Sequence, residues 1–220
     1  MIELTHSNEP AQLVKYRSKN PNSSWGDEAF NPIREITRRS LNLEQQGLCV
    51  YCEQFLLQDH GHVEHIKSKS KPESRHLRFV YSNLAHSCNG GKGVTHCGHA
   101  KKSDRLPIEP RVGCNQNFSV SLFDGRLSPS INLTESEKQS AQKAIDLLNL
   151  NENGLSWKRY GFAASVIGLG SQQEKSDFLP SMNFAGCCEI CNWTGCARSS
   201  ASYNFMSRPK PLNREGSSLV

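Results

Sequence analysis

The 220-residue chain has no long hydrophobic run: its most apolar stretch, residues 162–169, is broken by Gly168 and falls far short of the about 20 residues a membrane span needs. The opening Met1-Ile2-Glu3-Leu4-Thr5-His6 lacks the basic start and apolar core of a secretory signal. Both absences lead to the expectation of a protein of the reducing cytoplasm. No Gly-x-x-x-x-Gly-Lys-Ser/Thr loop occurs either, so any ATP-driven control must come from another polypeptide. Nor does one sign of charge dominate: 26 Lys and Arg against 21 Asp and Glu leave a formal net charge of +5, which suits a polyanionic partner without demanding one.

Cysteine, by contrast, is plentiful at nine residues, and in a reducing compartment clustered cysteines are metal ligands more often than disulfides. Cys49 and Cys52 form a C-x-x-C turn, whose two thiolates can face one ion, and Cys88 and Cys97 supply a matching pair. Four such sulfurs make a closed, tetrahedral, structural Zn²⁺ site. A redox turn or two buried thiols would be the ordinary reading of the first pair alone.

Between the pairs stands Glu64-His65. An acid at a strand end can bind a divalent cation while the neighbouring, unligated imidazole takes a proton from an attacking water. For the dipeptide alone, a solvated surface acid and histidine would be the simpler reading. Its place between the cysteine pairs, followed by Asn83, favours catalysis. A buried Asn83 can hydrogen-bond across the loop that holds the base and fix its orientation. His62 faces the same side of a strand as Glu64 and is a candidate extra ligand, although a lone histidine there more often packs or lies at the surface.

Positive charge gathers around these residues. Lys67, Lys69, Lys71, Arg75 and Arg78 follow the acid-histidine step, and Lys92, Lys101, Lys102 and Arg105 surround the second cysteine pair. Lys67, Lys69, Lys101 and Lys102 are the candidate phosphate contacts, which position a strand without reading its sequence. Residues 71–78 read equally well as an ordinary solvated loop.

Four segments follow from the patterning, giving an α+β chain. Residues 1–47 form a helical arm. One short helix starts at Ala11, residues 20–26 are a polar linker, and Phe30, Ile33, Ile36 and Leu41 recur near helical spacing behind Pro32, for packing or partner contact. Residues 48–131 hold the zinc-braced core and a trailing segment in which residues 117–123 alternate at period two before an Asp124-Gly125 hairpin turn. Residues 132–198 are helical. Thr134 and Glu137 make a capping box ahead of Ala141, Ala144, Ile145 and Leu148, and a second helix runs from Leu155 to about Ile167. Cys187, Cys188, Cys191 and Cys196, beside Trp193, have enough sulfur for a second zinc, but their cramped spacing favours a cysteine-rich segment without metal. Residues 199–220 are polar and aperiodic, the signature of a disordered tail. Cys114 has no assignment.

The order His65, Asn83, His99 interleaved with the cysteines resembles the HNH, or ββα-metal, endonucleases. The likeness extends to Leu41, Glu44, Gln45, Leu48, Tyr51 and Glu53 around the first cysteine pair, to Val63, Ile66, Ser68, Lys69 and Ser70, to Lys101, Lys102 and Asp104, and to Leu147, Leu150 and Asn151. Over roughly residues 10–165 the chain is similar to the PtuB-type HNH proteins of retron and Septu anti-phage systems. That resemblance implies a zinc-braced ββα-metal core flanked by N- and C-terminal helices. It implies His65 as general base, Asn83 as the central asparagine, and Glu64 with His99 as ligands of a catalytic Mg²⁺ or Mn²⁺. It also implies a hetero-oligomer with a Septu-type, PtuA-like ATPase, with a retron reverse transcriptase and its msDNA as a further partner, acting on DNA or tRNA-like RNA. The chain departs from the commoner pattern at Gly98, Ser68 and Ser103, where Asn or Asp, Pro and Gly are frequent. With Gly98 after the cysteine, Asn89 is the alternative last ligand.

Three functions of different class fit the sequence. The preferred one is a metal-dependent phosphodiesterase. A zinc module that only binds nucleic acid would need the cysteines and lysines but not Glu64 beside His65, and a structural subunit for an ATPase would tolerate a degenerate centre at Gly98.

Overall fold

The computed structural model describes residues 1–89 and 95–168. Lys92, the cysteines Cys187, Cys188, Cys191 and Cys196, and the segment 199–220 lie outside the described residues. Helices and short strands mix as expected of an α+β chain. Helix α1 (Ala11–Lys19) and helix α2 (Asn31–Glu44) precede a hairpin of β1 (His62–His65) and β2 (Leu84–Ser87). Helix α3 (Gly98–Lys101), a second hairpin of β3 (Phe118–Val120) and β4 (Leu127–Pro129), and helices α4 (Glu135–Leu147) and α5 (Asn153–Gly168) come after it.

The N-terminal helices form a wall of the core. Pro32 sits in the first turn of α2, where its missing N–H costs nothing, and the buried Thr37 donates its hydroxyl to the Ile33 carbonyl at 2.7 Å. Leu13, Tyr16, Phe30 and Leu41 are buried in one cluster with Val63, Phe79, Tyr81 and Leu84. Apolar burial of this kind stabilises by about 25 cal/mol per Å², and here it holds the helices against the first hairpin.

That hairpin is antiparallel, with His62 opposite Ser87 and His65 opposite Leu84. Successive side chains leave a strand on opposite faces. Val63 therefore enters the cluster of the N-terminal helices, while His62 and Glu64 face α3. A second apolar cluster joins Cys49, Val50, Tyr51, Cys52, Leu56, Ile66, Ala85 and Cys97 to Ile145 of α4, to Leu148 and Leu150 just beyond it, and to Leu155 of α5.

The trailing elements match their sequence signals with one difference. Thr134 and Glu137 form a reciprocal capping box at the start of α4, an arrangement whose loss costs about 1 kcal/mol. Strand β3, expected to reach residue 123, stops at Val120, because the Ser121 hydroxyl accepts from the Phe123 and Asp124 N–H groups and turns the chain early. Gly125, at φ +69°, lies so close to α5 that a Cβ there would come 2.0 Å from the Ser156 carbonyl oxygen. The Asn151 side chain accepts from Leu127 N at 2.7 Å and donates to Leu127 O at 2.8 Å, extending β4 as a third strand would.

Candidate metal centre and active site

Cys49, Cys52, Cys88 and Cys97 converge, their sulfurs all within 4.8 Å of one another. Cys49 lies 3.9 Å from Cys97 and Cys52 lies 3.8 Å from Cys88. Ligands on a tetrahedral ion at Zn–S bonds of about 2.3 Å stand roughly 3.8 Å apart, so the cluster has the dimensions of a four-sulfur site. These are free thiols, three of them buried and Cys88 half-buried. Among the described residues this is the group of three or more His, Cys, Asp or Glu whose ligand atoms all converge as placed; Glu64, His62 and His99 lie near one another without converging so closely. Polar groups already turn toward the sulfurs: Cys88 N donates to Cys49 Sγ at 3.3 Å, and His96 Nδ1 lies 3.1 Å from Cys97 Sγ. Cys97 has φ +59°, a conformation costing a non-glycine residue of order 1–3 kcal/mol, at the point where the chain delivers its sulfur and starts α3.

The Glu64 carboxylate lies between β1 and α3, and the residue is only 7% exposed. Lys101 Nζ ion-pairs with its Oε1 at 2.8 Å and the Tyr51 hydroxyl donates to the same oxygen at 3.4 Å. The other oxygen, Oε2, lies 3.3 Å from His62 Nε2. Burial opposes ionisation of Glu64, but His62 and Lys101 outweigh it and hold the carboxyl below its ordinary range. The His99 ring, exposed, stands 4.8 Å from that of His62. Asn89, the alternative last ligand, places its side-chain oxygen 3.2 Å from His62 Nδ1.

His65 closes the strand on the other side. Its Nε2 lies 3.0 Å from the Arg78 carbonyl, which only accepts, so Nε2 carries the hydrogen and Nδ1 the lone pair. Trp25 meets the imidazole edge to face with ring centres 4.3 Å apart. Burial, with Lys69 and Lys101 nearby, lowers the His65 pKa to about 4, which keeps the ring neutral and able to take a proton. Asn83 is buried as expected but bonds the backbone beyond the base rather than its ring. It accepts from Lys67 N at 2.8 Å and donates to Lys67 O at 3.0 Å and Leu77 O at 3.3 Å. Ring orientation comes from Arg78 and Trp25.

One expected phosphate contact is placed elsewhere. Lys101 is fully buried, with its ammonium on Glu64 and on the His65 carbonyl at 3.1 Å, because a buried carboxylate needs an opposite charge beside it. It therefore presents no charge at the surface. Lys69 and Lys102 are exposed, and Lys67 is half-exposed in an ion pair with Glu109 at 3.7 Å.

Sequence reasoning missed Tyr51, Trp25 and the Arg78 carbonyl. A lone tryptophan in a polar linker was a usable signal for Trp25, whereas a backbone carbonyl leaves none.

Comparison with known proteins bears on this geometry. No family model matches the chain. Over 166 residues, 72% of this chain and 80% of the relative, it is 37% identical to the protein named "Retron Vc95 putative HNH endonuclease" of Vibrio cholerae serotype O1 biovar El Tor. Over 100 residues, 41% of this chain and 38% of the relative, it is 34% identical to "Retron Ec83 putative HNH endonuclease" of Escherichia coli. A cysteine quartet built like a zinc site, a strand-end acid-histidine step and this similarity agree: the chain belongs to the retron HNH endonuclease family.

Proposed function

We propose that the protein is the nuclease effector of an anti-phage retron system, hydrolysing phosphodiester bonds with His65 as general base, under control of a Septu-type ATPase. The observation that carries this reading is the His65 imidazole, neutral, tied at Nε2 by the Arg78 carbonyl and left with a lone pair at Nδ1, one residue from the buried carboxylate of Glu64.

In the proposed reaction His65 Nδ1 takes a proton from water as the water oxygen bonds to phosphorus and the bond to the 3′ oxygen breaks. Asn83 holds the backbone at Lys67 and so the loop beyond the base. Lys101 and Tyr51 occupy Oε1 of Glu64, and Oε2, which faces His62 Nε2 at 3.3 Å, is the oxygen for a cation. A Mg²⁺ or Mn²⁺ held by Glu64 and His99 supplies, when bound, neutralisation of the charge on phosphate and leaving oxygen. Zn²⁺ held by the four cysteines braces the loops that carry these residues. Exposed Lys69 and Lys102, with Lys67, face the strand. The names of the relatives support a retron setting, and the resemblance to PtuB-type proteins supports a cytoplasmic hetero-oligomer with the ATPase, a reverse transcriptase and msDNA.

The test is cleavage of single-stranded DNA, double-stranded DNA and tRNA by the complete co-expressed assembly, wild type against His65→Ala. Loss of about 10²–10⁴-fold in rate with zinc content unchanged is expected. Equal cleavage by both proteins, or none by the wild-type assembly, leaves only the zinc-binding module.

A further inference from the structure

We propose that His62 is a third protein ligand of the catalytic cation, an assignment that rests on the nuclease reading of Glu64 and His99. Strand β1 carries His62 and Glu64 on one face, two residues apart. Their heads converge: Nε2 of His62 lies 3.3 Å from Oε2 of Glu64. Neighbouring ligands on an octahedral ion with bonds of about 2.1 Å stand roughly 3 Å apart, so this spacing is close to one edge of a coordination shell. The His99 ring approaches from α3 with its centre 4.8 Å from that of His62, tilted by 52°.

Two further observations turn His62 toward an ion. Its Nδ1 faces the side-chain oxygen of Asn89 at 3.2 Å, and because an amide oxygen only accepts, Nδ1 carries a hydrogen; Nε2 faces the acceptor Oε2 of Glu64, so a bound cation would take the place of the Nε2 proton and Nδ1–H would remain on Asn89. A carboxylate–imidazole–metal site uses the same device, an outer partner that fixes the tautomer of the ligand. The second observation is Gly98. A Cβ at that position would lie 2.5 Å from Glu64 Oε2 and 3.0 Å from His62 Nε2, so the bare backbone is what lets the two heads meet. The place that a side chain at residue 98 would fill is taken by the Glu64 carboxylate, with the imidazole of His62 beside it. Gly98 is thus fitted to Glu64 and His62 together rather than being a mark of a degenerate centre.

The reading that competes is a proton shared between His62 and Glu64, a plain ion pair. Mn²⁺ binding to the zinc-loaded full chain separates the two. Titration followed by electron paramagnetic resonance gives the affinity, and electron spin-echo modulation counts coordinated imidazole nitrogens. Wild type is expected to show two imidazoles. His62→Ala and His62→Gln are each expected to show one and to bind Mn²⁺ at least about tenfold more weakly, with zinc content and Tm unchanged; two variants are used so that one folding defect does not decide the matter. Wild-type affinity and two imidazoles in both variants, together with weakened binding in Glu64→Gln, overturn the role of His62 and leave the nuclease reading standing. If wild type and Glu64→Gln bind Mn²⁺ equally, or wild type binds none, the cation site of the nuclease reading fails and His62 with it.

Discussion

The indole of Trp25 meets the imidazole of His65 edge to face, 4.3 Å between ring centres and 79° between planes, across 40 residues of sequence. The contact makes the segment between α1 and α2 part of the candidate active site. It also supplies some of the burial that lowers the His65 pKa to about 4.

Wild-type cleavage should therefore stay level between pH 7 and pH 6. A histidine at the unperturbed value of about 6.5 would lose roughly threefold over that interval. In Trp25→Ala the ring becomes hydrated, its pKa rises, and the threefold fall should reappear along with a lower plateau. Trp25→Phe should keep the wild-type profile. Identical profiles for all three proteins at saturating substrate would remove the link.

Zinc analysis of protein purified without chelator should give about one tightly held ion per chain from the described cysteines. Cys49→Ser and Cys97→Ser, both at fully buried positions, should lose it and unfold the hairpin and α3 together. Full zinc and unchanged melting in both variants would defeat the four-sulfur assignment.

Lys101 and Lys102 are neighbours with different expected losses. Lys101→Met leaves the Glu64 carboxylate buried without its partner, which costs about 3–5 kcal/mol in a broken buried pair, and Lys101→Met with Glu64→Gln should recover most of it. Lys102→Ala should leave stability alone, weaken nucleic-acid binding and reduce the salt dependence of that binding by about one unit of slope. Urea denaturation and binding at several salt concentrations measure both. Equal effects of the two variants on binding would contradict the burial of Lys101.

Acid should act through His86 as well as through His65, whose pKa burial also lowers to about 4. His86 is fully buried, its Nε2 is 2.7 Å from the His60 carbonyl, and burial brings its pKa to about 4. Because the folded value lies below the unfolded value of about 6.5, its contribution is complete above pH 6.5. It drains as pH falls from 6.5 toward 4, to a loss of about 3 kcal/mol. His86→Gln should lose its share of this dependence and leave that of His65, seen as a smaller difference between urea midpoints at pH 7.5 and pH 5. A variant as acid-sensitive as wild type would assign the effect elsewhere.

What could be read along the chain was what has a one-dimensional signature. Cys49, Cys52, Cys88 and Cys97 could be paired by count and spacing, and Thr134 with Glu137 announced α4 by a local rule. Asn83 was expected to be buried and is, although the atoms it holds belong to Lys67. Lys101 could not be placed from its residue type, because a lysine reads as surface until the buried carboxylate beside it is known. Trp25 against His65 is a contact between distant segments, and no periodicity encodes it. Gly98 looked like a loss in the sequence; only the approach of Glu64 and His62 shows what it makes room for.

The sulfur quartet also sets an order of events during synthesis. Glu64 and His65 leave the ribosome well ahead of Cys97, 32 positions after His65. At roughly 5–20 residues per second that is about 2–6 s in which the acid and the base exist without the fourth sulfur or the helix it starts. A nascent chain therefore carries the proposed acid and base before the fourth sulfur and α3 that would assemble them into a site.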